Sequence, residues 1–171
     1  LDWGLSAAFH DINDDGLPDL YVCNDFWTPD RFWINQGGVF KLLDPKNLSK
    51  TSASSMGVDF SDYDRDGDVD LFVVDMLSRD SDLRKRQAPA QDLSDRLVNQ
   101  GKYADQVMRN TLLNNRGDGS FAELANMAGL SASDWSWSPV FLDVDLDGYE
   151  DLIITAGHYK DTQDLDVNAL I

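Results

Sequence analysis

The sequence predicts an all-β fold of repeated four-stranded units, and about two and a half such units fit into its 171 residues. Three observations lead to this prediction. One acidic phrase with a central glycine occurs three times, each copy lies between short apolar runs, and a glycine hairpin follows the first two copies. The repeat is about fifty residues long, which is typical of one blade of a β-propeller.

Each unit supplies one strand before the acidic loop, one strand after it, and the two arms of the hairpin. We therefore expect a single partial propeller domain over residues 1–171. Blade one takes about residues 5–43, blade two about 55–125, and the start of blade three about 136–171. A propeller usually needs at least about four blades to close. The expected partners are therefore further blades of a longer parent chain or a second copy of this chain.

The acidic loops are the most specific feature. In residues 60–74, FSDYDRDGDVDLFVV, aspartates crowd around Gly67. Carboxylates two residues apart repel one another, so the turn is costly unless a cation lies among the oxygens. Alternate oxygen donors around a glycine suit a hard cation that takes about six to eight oxygens, and calcium is the leading candidate. Oxygen-bearing side chains recur at loop positions one, three, five and nine: Asp11, Asn13, Asp15 and Asp19; Asp62, Asp64, Asp66 and Asp70; Asp143, Asp145, Asp147 and Asp151.

The loops are expected to join β-strands. A helix-loop-helix calcium site needs a bidentate acid at loop position twelve. That position holds Val22, Val73 and Ile154 in the three copies. Instead, the β-prone runs LYVC, LFVV and LIIT follow the ninth position. Each copy is therefore predicted to be a β-hairpin folded around a cation, with the loop glycine permitting the turn.

The second blade carries an insertion. From the first loop acid to the hairpin asparagine the chain advances 24 residues in blade one, from Asp11 to Asn35, and 53 in blade two, from Asp62 to Asn115. The extra residues are predicted to lie within 77–109 as an exposed, partly helical excursion, with a weak helical pattern over residues 91–98. Seven of the fourteen Lys and Arg residues lie there, so contact with an acidic partner or with the acidic blades is expected.

Composition excludes several classes of function. The net charge of −17 argues against nucleic acid as a partner, because a phosphate-binding surface needs a basic patch. No apolar run is long enough to span a membrane. Cys23 is the only cysteine, so no internal disulfide can form, and its strand context predicts a small buried residue.

The sequence does not predict an enzyme. It contains no HExxH, no GxSxG and no Cys/His pair, and the loops explain its abundant aspartates. The tripeptide Arg116-Gly117-Asp118 lies where the repeat requires a turn, which favours a turn over an adhesion signal. Trp135 and Trp137 occupy alternate positions, which places both on one sheet face and favours packing over sugar stacking.

The repeats resemble the FG-GAP or VCBS repeats of integrin α-subunit propellers and of many secreted bacterial proteins. Similarity to the cartilage acidic protein-like bacterial proteins lies in LYVCNDF at 20–26, FVVDMLS at 72–78, WSWSP at 135–139 and the loops. The resemblance covers nearly the whole chain except the insertion, and the FG-GAP tripeptide phrasing is missing. It implies three calcium ions, held by the loop side chains named above and by the seventh-position backbone carbonyls of Leu17, Asp68 and Tyr149.

The resemblance also implies a calcium-stabilised, non-catalytic propeller module that acts as a binding or adhesion scaffold for a protein or carbohydrate ligand. Its expected location is outside the cell or at the cell surface, or in the periplasm of a bacterium. The alternative is an accessory propeller of a secreted enzyme, such as a carbohydrate-active one, whose catalytic residues lie outside this chain.

Overall fold

A computed structural model describes residues 2–26, 28–87 and 104–157. Blade one contains four strands: β1 (Gly4–His10), β2 (Asp19–Asn24), β3 (Arg31–Asn35) and β4 (Phe40–Leu42). Blade two contains β6 (Gly57–Ser61), β7 (Asp70–Val74), β9 (Thr111–Asn115) and β10 (Phe121–Glu123). The third unit contributes β11 (Ser136–Leu142) and β12 (Asp151–Ala156). Outside the blades lie a 3-10 helix (Pro45–Asn47), β5 (Lys50–Ser52), helix α1 (Ser81–Arg86) and β8 (Asp105–Val107).

Each complete blade is a four-stranded antiparallel sheet. The strand order is β1-β2-β3-β4 in blade one and β6-β7-β9-β10 in blade two, while β11 pairs with β12. The prediction of an all-β fold with repeated four-stranded units is therefore confirmed. In every copy the ninth loop residue is the first residue of the strand that follows, since β2, β7 and β12 begin at Asp19, Asp70 and Asp151.

Two apolar cores lie between neighbouring blades. In β7, Leu71 and Val73 belong to the core shared with blade one, whereas Phe72 and Val74 belong to the core shared with the third unit. All four side chains are fully buried, because β7 is covered on both faces. Alternation along a strand sends successive side chains to opposite faces, so this one apolar run serves both blade boundaries.

Blade one is covered on one face only in the described part of the chain. Leu20 stands at the position in blade one that Leu71 occupies in blade two, yet it is only half-buried. Phe9 and Phe40, which match the loop-flanking and hairpin phenylalanines of blade two, are exposed and pack edge to face on each other at 6.3 Å. The residue types of a blade boundary are thus present on this face without a blade against it.

The insertion is helical at its start and part of the fold at its end. Helix α1 begins after Asp80, whose side chain accepts hydrogen bonds from Asp82 N and Leu83 N. Strand β8 pairs in parallel with β5, and Ala104 is buried in the core between blades one and two. The expectation of an exposed excursion is therefore wrong for this last part, because a parallel strand pair and a core contact hold it. The helical pattern predicted at 91–98 lies outside the described residues.

Two further sequence predictions are resolved by the packing. Cys23 is fully buried, and burial raises the pKa of its thiol well above the usual value, as the prediction of a buried apolar role requires.

The tryptophans Trp135 and Trp137 differ in their burial. Trp135 packs against the second core, whereas Trp137 is 48% exposed at an irregularity in β11, where its Nε1 donates to the Gly157 carbonyl oxygen at 2.9 Å. Trp137 does share a face with Trp135, since their ring centres lie 6.4 Å apart, but the prediction of a core position is wrong for Trp137.

Within the described ranges, neither helix is both long and apolar enough to cross a membrane.

Candidate metal centres

The three loops share one backbone path, and it has two left-handed residues. The glycines at position six have positive φ: Gly16 (81°), Gly67 (96°) and Gly148 (86°). Position four is also left-handed although it never holds glycine: Asp14 (54°), Arg65 (63°) and Leu146 (63°). Left-handed backbone is costly for residues with a Cβ. The same costly conformation at position four in all three copies shows that the loop geometry requires it.

The carboxylate at position one holds the loop closed. The position-six backbone N–H donates to Asp11 Oδ2 at 2.7 Å, to Asp62 Oδ2 at 3.1 Å and to Asp143 Oδ2 at 2.9 Å. A short side chain that bonds its own backbone a few residues on is the usual way in which an aspartate stabilises a turn. The sequence thus places an acid at position one partly to form the loop itself.

Positions three and five continue this pattern. The N–H of position five donates to Asn13 Oδ1, Asp64 Oδ1 and Asp145 Oδ1 at 3.3, 3.3 and 3.2 Å. The N–H of position seven donates to Asp15 Oδ1, Asp66 Oδ1 and Asp147 Oδ1 at 2.9, 2.9 and 2.8 Å. Alternate side chains are therefore oriented by hydrogen bonds from the loop's own backbone.

Position nine is tied to the glycine hairpin of the same blade. Asp19 and Asp70 are buried, and each Oδ1 accepts a backbone N–H, from Asn35 at 2.7 Å and from Asn115 at 2.8 Å. Sequence reasoning missed this link. The sequence signal for this link is the asparagine that occurs at the same position in both hairpins, Asn35 and Asn115. Asp151 is exposed, and no third hairpin lies within the described residues.

The fold brings acids together in two of the three loops. Carboxylate oxygens of Asp62, Asp64 and Asp70 lie within 4.8 Å of one another, and so do those of Asp143, Asp145 and Asp151. Loop one has Asn13 at position three, where the other loops have an acid. Two acidic clusters are thus able to hold a metal ion, and loop one offers an amide oxygen in place of one carboxylate.

The remaining predicted ligands lie around these clusters. The position-five acids Asp15, Asp66 and Asp147 are exposed and are not members of the two carboxylate triads. Among the three residues whose carbonyls were predicted to coordinate, Leu17 and Asp68 are half-buried and Tyr149 is exposed. The Asp68 side chain points to the hairpin, since its Oδ2 lies 2.6 Å from the place where a Cβ on Gly117 would stand.

The oxygens of loop two fit a cation. Asp62 Oδ1 and Asp70 Oδ2 are buried and accept no hydrogen bond from any residue that the structure describes. A buried polar atom without a partner is costly, and a cation would satisfy both atoms. The pKa of Asp70 is raised to about 7, mainly by burial and in part by the charges of Asp64 and Asp66, while the hydrogen bond from Asn115 N and the nearby backbone N–H of Tyr63 oppose the rise. Burial also raises the pKa of Asp19.

A buried polar network lies at the opposite ends of the same strands. In blade one, Asn24 N donates to Asp30 Oδ1 at 2.8 Å; in blade two, Asp75 N donates to Asn110 Oδ1 at 2.7 Å. The acid and the amide have exchanged places between the repeats. Asp30 Oδ2 also accepts from Tyr21 and Ser55 hydroxyls, each at 2.7 Å. The buried acids Asp30 and Asp75 thus take part in hydrogen bonds that hold each blade together.

The sequence profile of the FG-GAP-like repeat family matches residues 11–73 and 97–154, which together include all three loops. A comparison with curated proteins gives no match. The matched ranges cover more than half of the chain, and they contain all three loops, both hairpins and most of the flanking strands, whereas β1 precedes the first range. The chain therefore belongs to the FG-GAP-like repeat family and is a β-propeller-like repeat module.

Proposed function

We propose that this chain is a calcium-stabilised propeller module that acts as a non-catalytic binding or adhesion scaffold. One observation carries the metal part of the proposal. Asp70 is fully buried beside Asp62 and Asp64, and within the described ranges one oxygen of Asp70 and one of Asp62 have no hydrogen-bond partner. Such a site is unfavourable when empty and favourable with a cation among its oxygens.

Calcium fits these donors better than magnesium does. Every donor is an oxygen, and the loop offers several carboxylates together with backbone carbonyls, which is what a large hard cation takes. Magnesium prefers a smaller octahedral shell and keeps its waters. The residues that would hold the ions are those of the loops, with Asp11, Asn13, Asp15, Leu17 and Asp19 in loop one and their equivalents in loops two and three.

The ions would act on stability. The chain carries a net charge of −17, and much of it stands in the loops. Each bound calcium would offset two negative charges where they are densest. Through the hydrogen bonds from Asn35 and Asn115 to the position-nine acids, the ions of loops one and two would also connect the loop hairpin with the outer hairpin of their blades. The expected role is to stabilise each blade as one unit.

We place the module outside the cell or at its surface, where calcium is abundant enough to fill exposed loops of modest affinity. A protein or a carbohydrate is the expected ligand. Propellers present ligand-binding surfaces in the loops that connect their strands, so the scaffold role needs no catalytic residues in this chain.

Calorimetric titration of the chelator-treated chain with calcium tests the proposal. We expect three bound ions in the unmodified chain and weaker uptake of magnesium. Asp64→Ala should remove the site in loop two. Asp82→Ala is the matched control, because Asp82 is an exposed acid outside the loops that pairs with Lys85 three residues on. Absence of calcium uptake, or equal stoichiometry in the two variants, would refute the metal assignment.

A further inference from the structure

Asn115 shares hydrogen bonds with two loops at once. Its backbone N–H donates to Asp70 Oδ1 in loop two at 2.8 Å, and its side-chain Nδ2 donates to the Ile12 carbonyl oxygen in loop one at 3.0 Å. Ile12 N in turn donates to Asp19 Oδ2 at 3.2 Å. A chain of three hydrogen bonds therefore runs from the position-nine carboxylate of loop two to that of loop one.

This connection is shielded from water. Ile12 and Asn115 are both buried, as are the two carboxylates at its ends. Inside a protein a hydrogen bond is stronger than in water, and a buried group that loses its partner is costly. A displacement of Asp70 would therefore strain the hydrogen bonds that lead to Asp19, and the reverse also holds.

Asn35 shows which of these bonds the hairpin itself requires. Its Nδ2 donates to the Pro18 carbonyl of its own loop at 3.0 Å, and its Oδ1 accepts Gly38 N at 2.8 Å. Asn115 repeats both bonds, to the Val69 carbonyl at 3.2 Å and from Gly117 N at 3.1 Å. The bond to Ile12 has no counterpart at Asn35 in the described part of the chain. It is an addition at the boundary between blades.

We propose that Asn115 couples the first two loops, so that a cation bound in loop two raises the affinity of loop one for its own cation. The inference rests on the calcium binding proposed above. A cation in loop two fixes Asp70, which fixes the Asn115 backbone and with it the amide that holds Ile12. Ile12 lies between Asp11 and Asn13, two donors of loop one. The first cation bears the conformational-entropy cost of ordering these shared residues, so the second cation binds without that cost.

The coupling must be reciprocal. If loop two changes the affinity of loop one by some factor, loop one changes the affinity of loop two by the same factor, because both describe one thermodynamic cycle. Couplings between sites commonly amount to factors of about 5 to 150. We expect at least about a fivefold effect in both directions.

Calcium calorimetry on the full chain carrying Asp145→Ala tests this, since disabling loop three leaves two sites to observe. Adding Asp64→Ala should lower the affinity of loop one at least about fivefold, and adding Asp11→Ala instead should lower that of loop two by the same factor. With Asn115→Ala in place, both loops should still take up calcium and the factor should fall to about one. This ratio is a readout that a merely structural role for Asn115 would not change.

Two further variants keep the test decisive. Asn35→Ala is the matched control, because it removes the equivalent bond within its own blade, to Pro18, and should leave the coupling factor unchanged. Asn115→Ser keeps a hydroxyl acceptor for Gly117 N but is too short to reach the Ile12 carbonyl oxygen, so it should abolish coupling even if the alanine variant does not fold. Independent sites with Asn115 in place, or coupling that survives its substitution, would overturn the inference while calcium binding stands. Absence of uptake at every loop would overturn both proposals.

Discussion

The guanidinium carbon of Arg65 lies 3.9 Å from the centre of the Tyr149 ring. Arg65 is position four of loop two and Tyr149 is position seven of loop three, so the contact joins loops of neighbouring blades. A cation over an aromatic face is attracted by the ring, by about 0.5–1 kcal/mol at an exposed site. Both loops are acidic, and the arginine also places a positive charge between them.

Arg65→Ala is therefore expected to lower the free energy of unfolding by about 0.5–1 kcal/mol in urea titrations. Arginine and alanine both have a Cβ, so the left-handed backbone at this position is strained in either case. The difference in stability therefore reports the ring contact together with the positive charge between the loops. Tyr149→Phe keeps the ring and should leave stability nearly unchanged. An Arg65→Ala variant as stable as the parent would show that the contact contributes nothing.

Equivalent leucines in blades one and two should differ in their contribution to stability. Leu71 is fully buried because blade one covers it, whereas Leu20, the same repeat position, is half-buried. Leu71→Ala should lower the free energy of unfolding by about 2–5 kcal/mol, as expected for a core cavity. Leu20→Ala should cost at least about 1 kcal/mol less, because a half-buried side chain loses less apolar contact. Equal losses in chemical denaturation would mean that the open face of blade one is covered in solution.

Asp30 should make stability depend on pH. Burial raises its pKa from 3.8 to about 7, and the nearby charge of Asp75 adds to the shift, while Asn24 N and the hydroxyls of Ser55 and Tyr21 oppose it. The folded chain therefore binds a proton at Asp30 more tightly than the unfolded chain does. Its contribution is fully present below pH 3.8 and is lost as the pH rises to about 7.

Asp30→Asn should remove that part of the pH dependence. The amide keeps an oxygen for Asn24 N, and the two hydroxyls can accept from its nitrogen instead of donating. In saturating calcium, the variant should gain stability relative to the parent as the pH rises from 5 to about 7, by about 1.4 kcal/mol for each pH unit. Parallel stability curves for the two chains over this range would show that Asp30 is ionised in the folded state.

Leu146 should be a site where stability can be gained. Its φ is 63° and its side chain is 85% exposed, so the strain of a left-handed leucine is not repaid by burial. Leu146→Gly should raise the free energy of unfolding by about 1 kcal/mol. The matched control is Met127→Gly, since Met127 is 87% exposed but is not among the residues with positive φ. A loss of stability in Leu146→Gly, measured in the same denaturant series, would contradict this.

The sequence predicts the parts of this fold that repeat. The three loops, the strands on either side and the two hairpins each follow a local pattern, and the acids at loop positions one, three and five are oriented by bonds within nine residues of chain. The position-nine acids Asp19 and Asp70 also accept from hairpin N–H groups 16 and 45 residues away. The Asn115–Ile12 bond has no such signal, because it spans 103 residues and its asparagine type is already explained by the turn. Strands β5 and β8 are three residues each, too short for alternation to be recognised.

Residue type conceals two other features. Position four of the loop is left-handed with Asp, Arg and Leu, which share no property that would predict positive φ. The buried network uses Asn24 with Asp30 in one blade and Asp75 with Asn110 in the next. Because acid and amide are exchanged, aligning the repeats by identity does not reveal the pair. Both features follow from tertiary geometry that local patterns do not encode.

Thermal unfolding in saturating calcium and in chelator is the most direct measurement of the central claim that bound calcium stabilises this module. A ligand at about 100 times its Kd adds about 2.7 kcal/mol for each site, and 1 kcal/mol shifts the Tm of a domain of this size by about 2–4 °C. Occupied loops should therefore raise the Tm by at least about 10 °C, magnesium should raise it less, and Asp64→Ala should lose part of the rise. A melting curve that is the same in calcium and in chelator would contradict the claim.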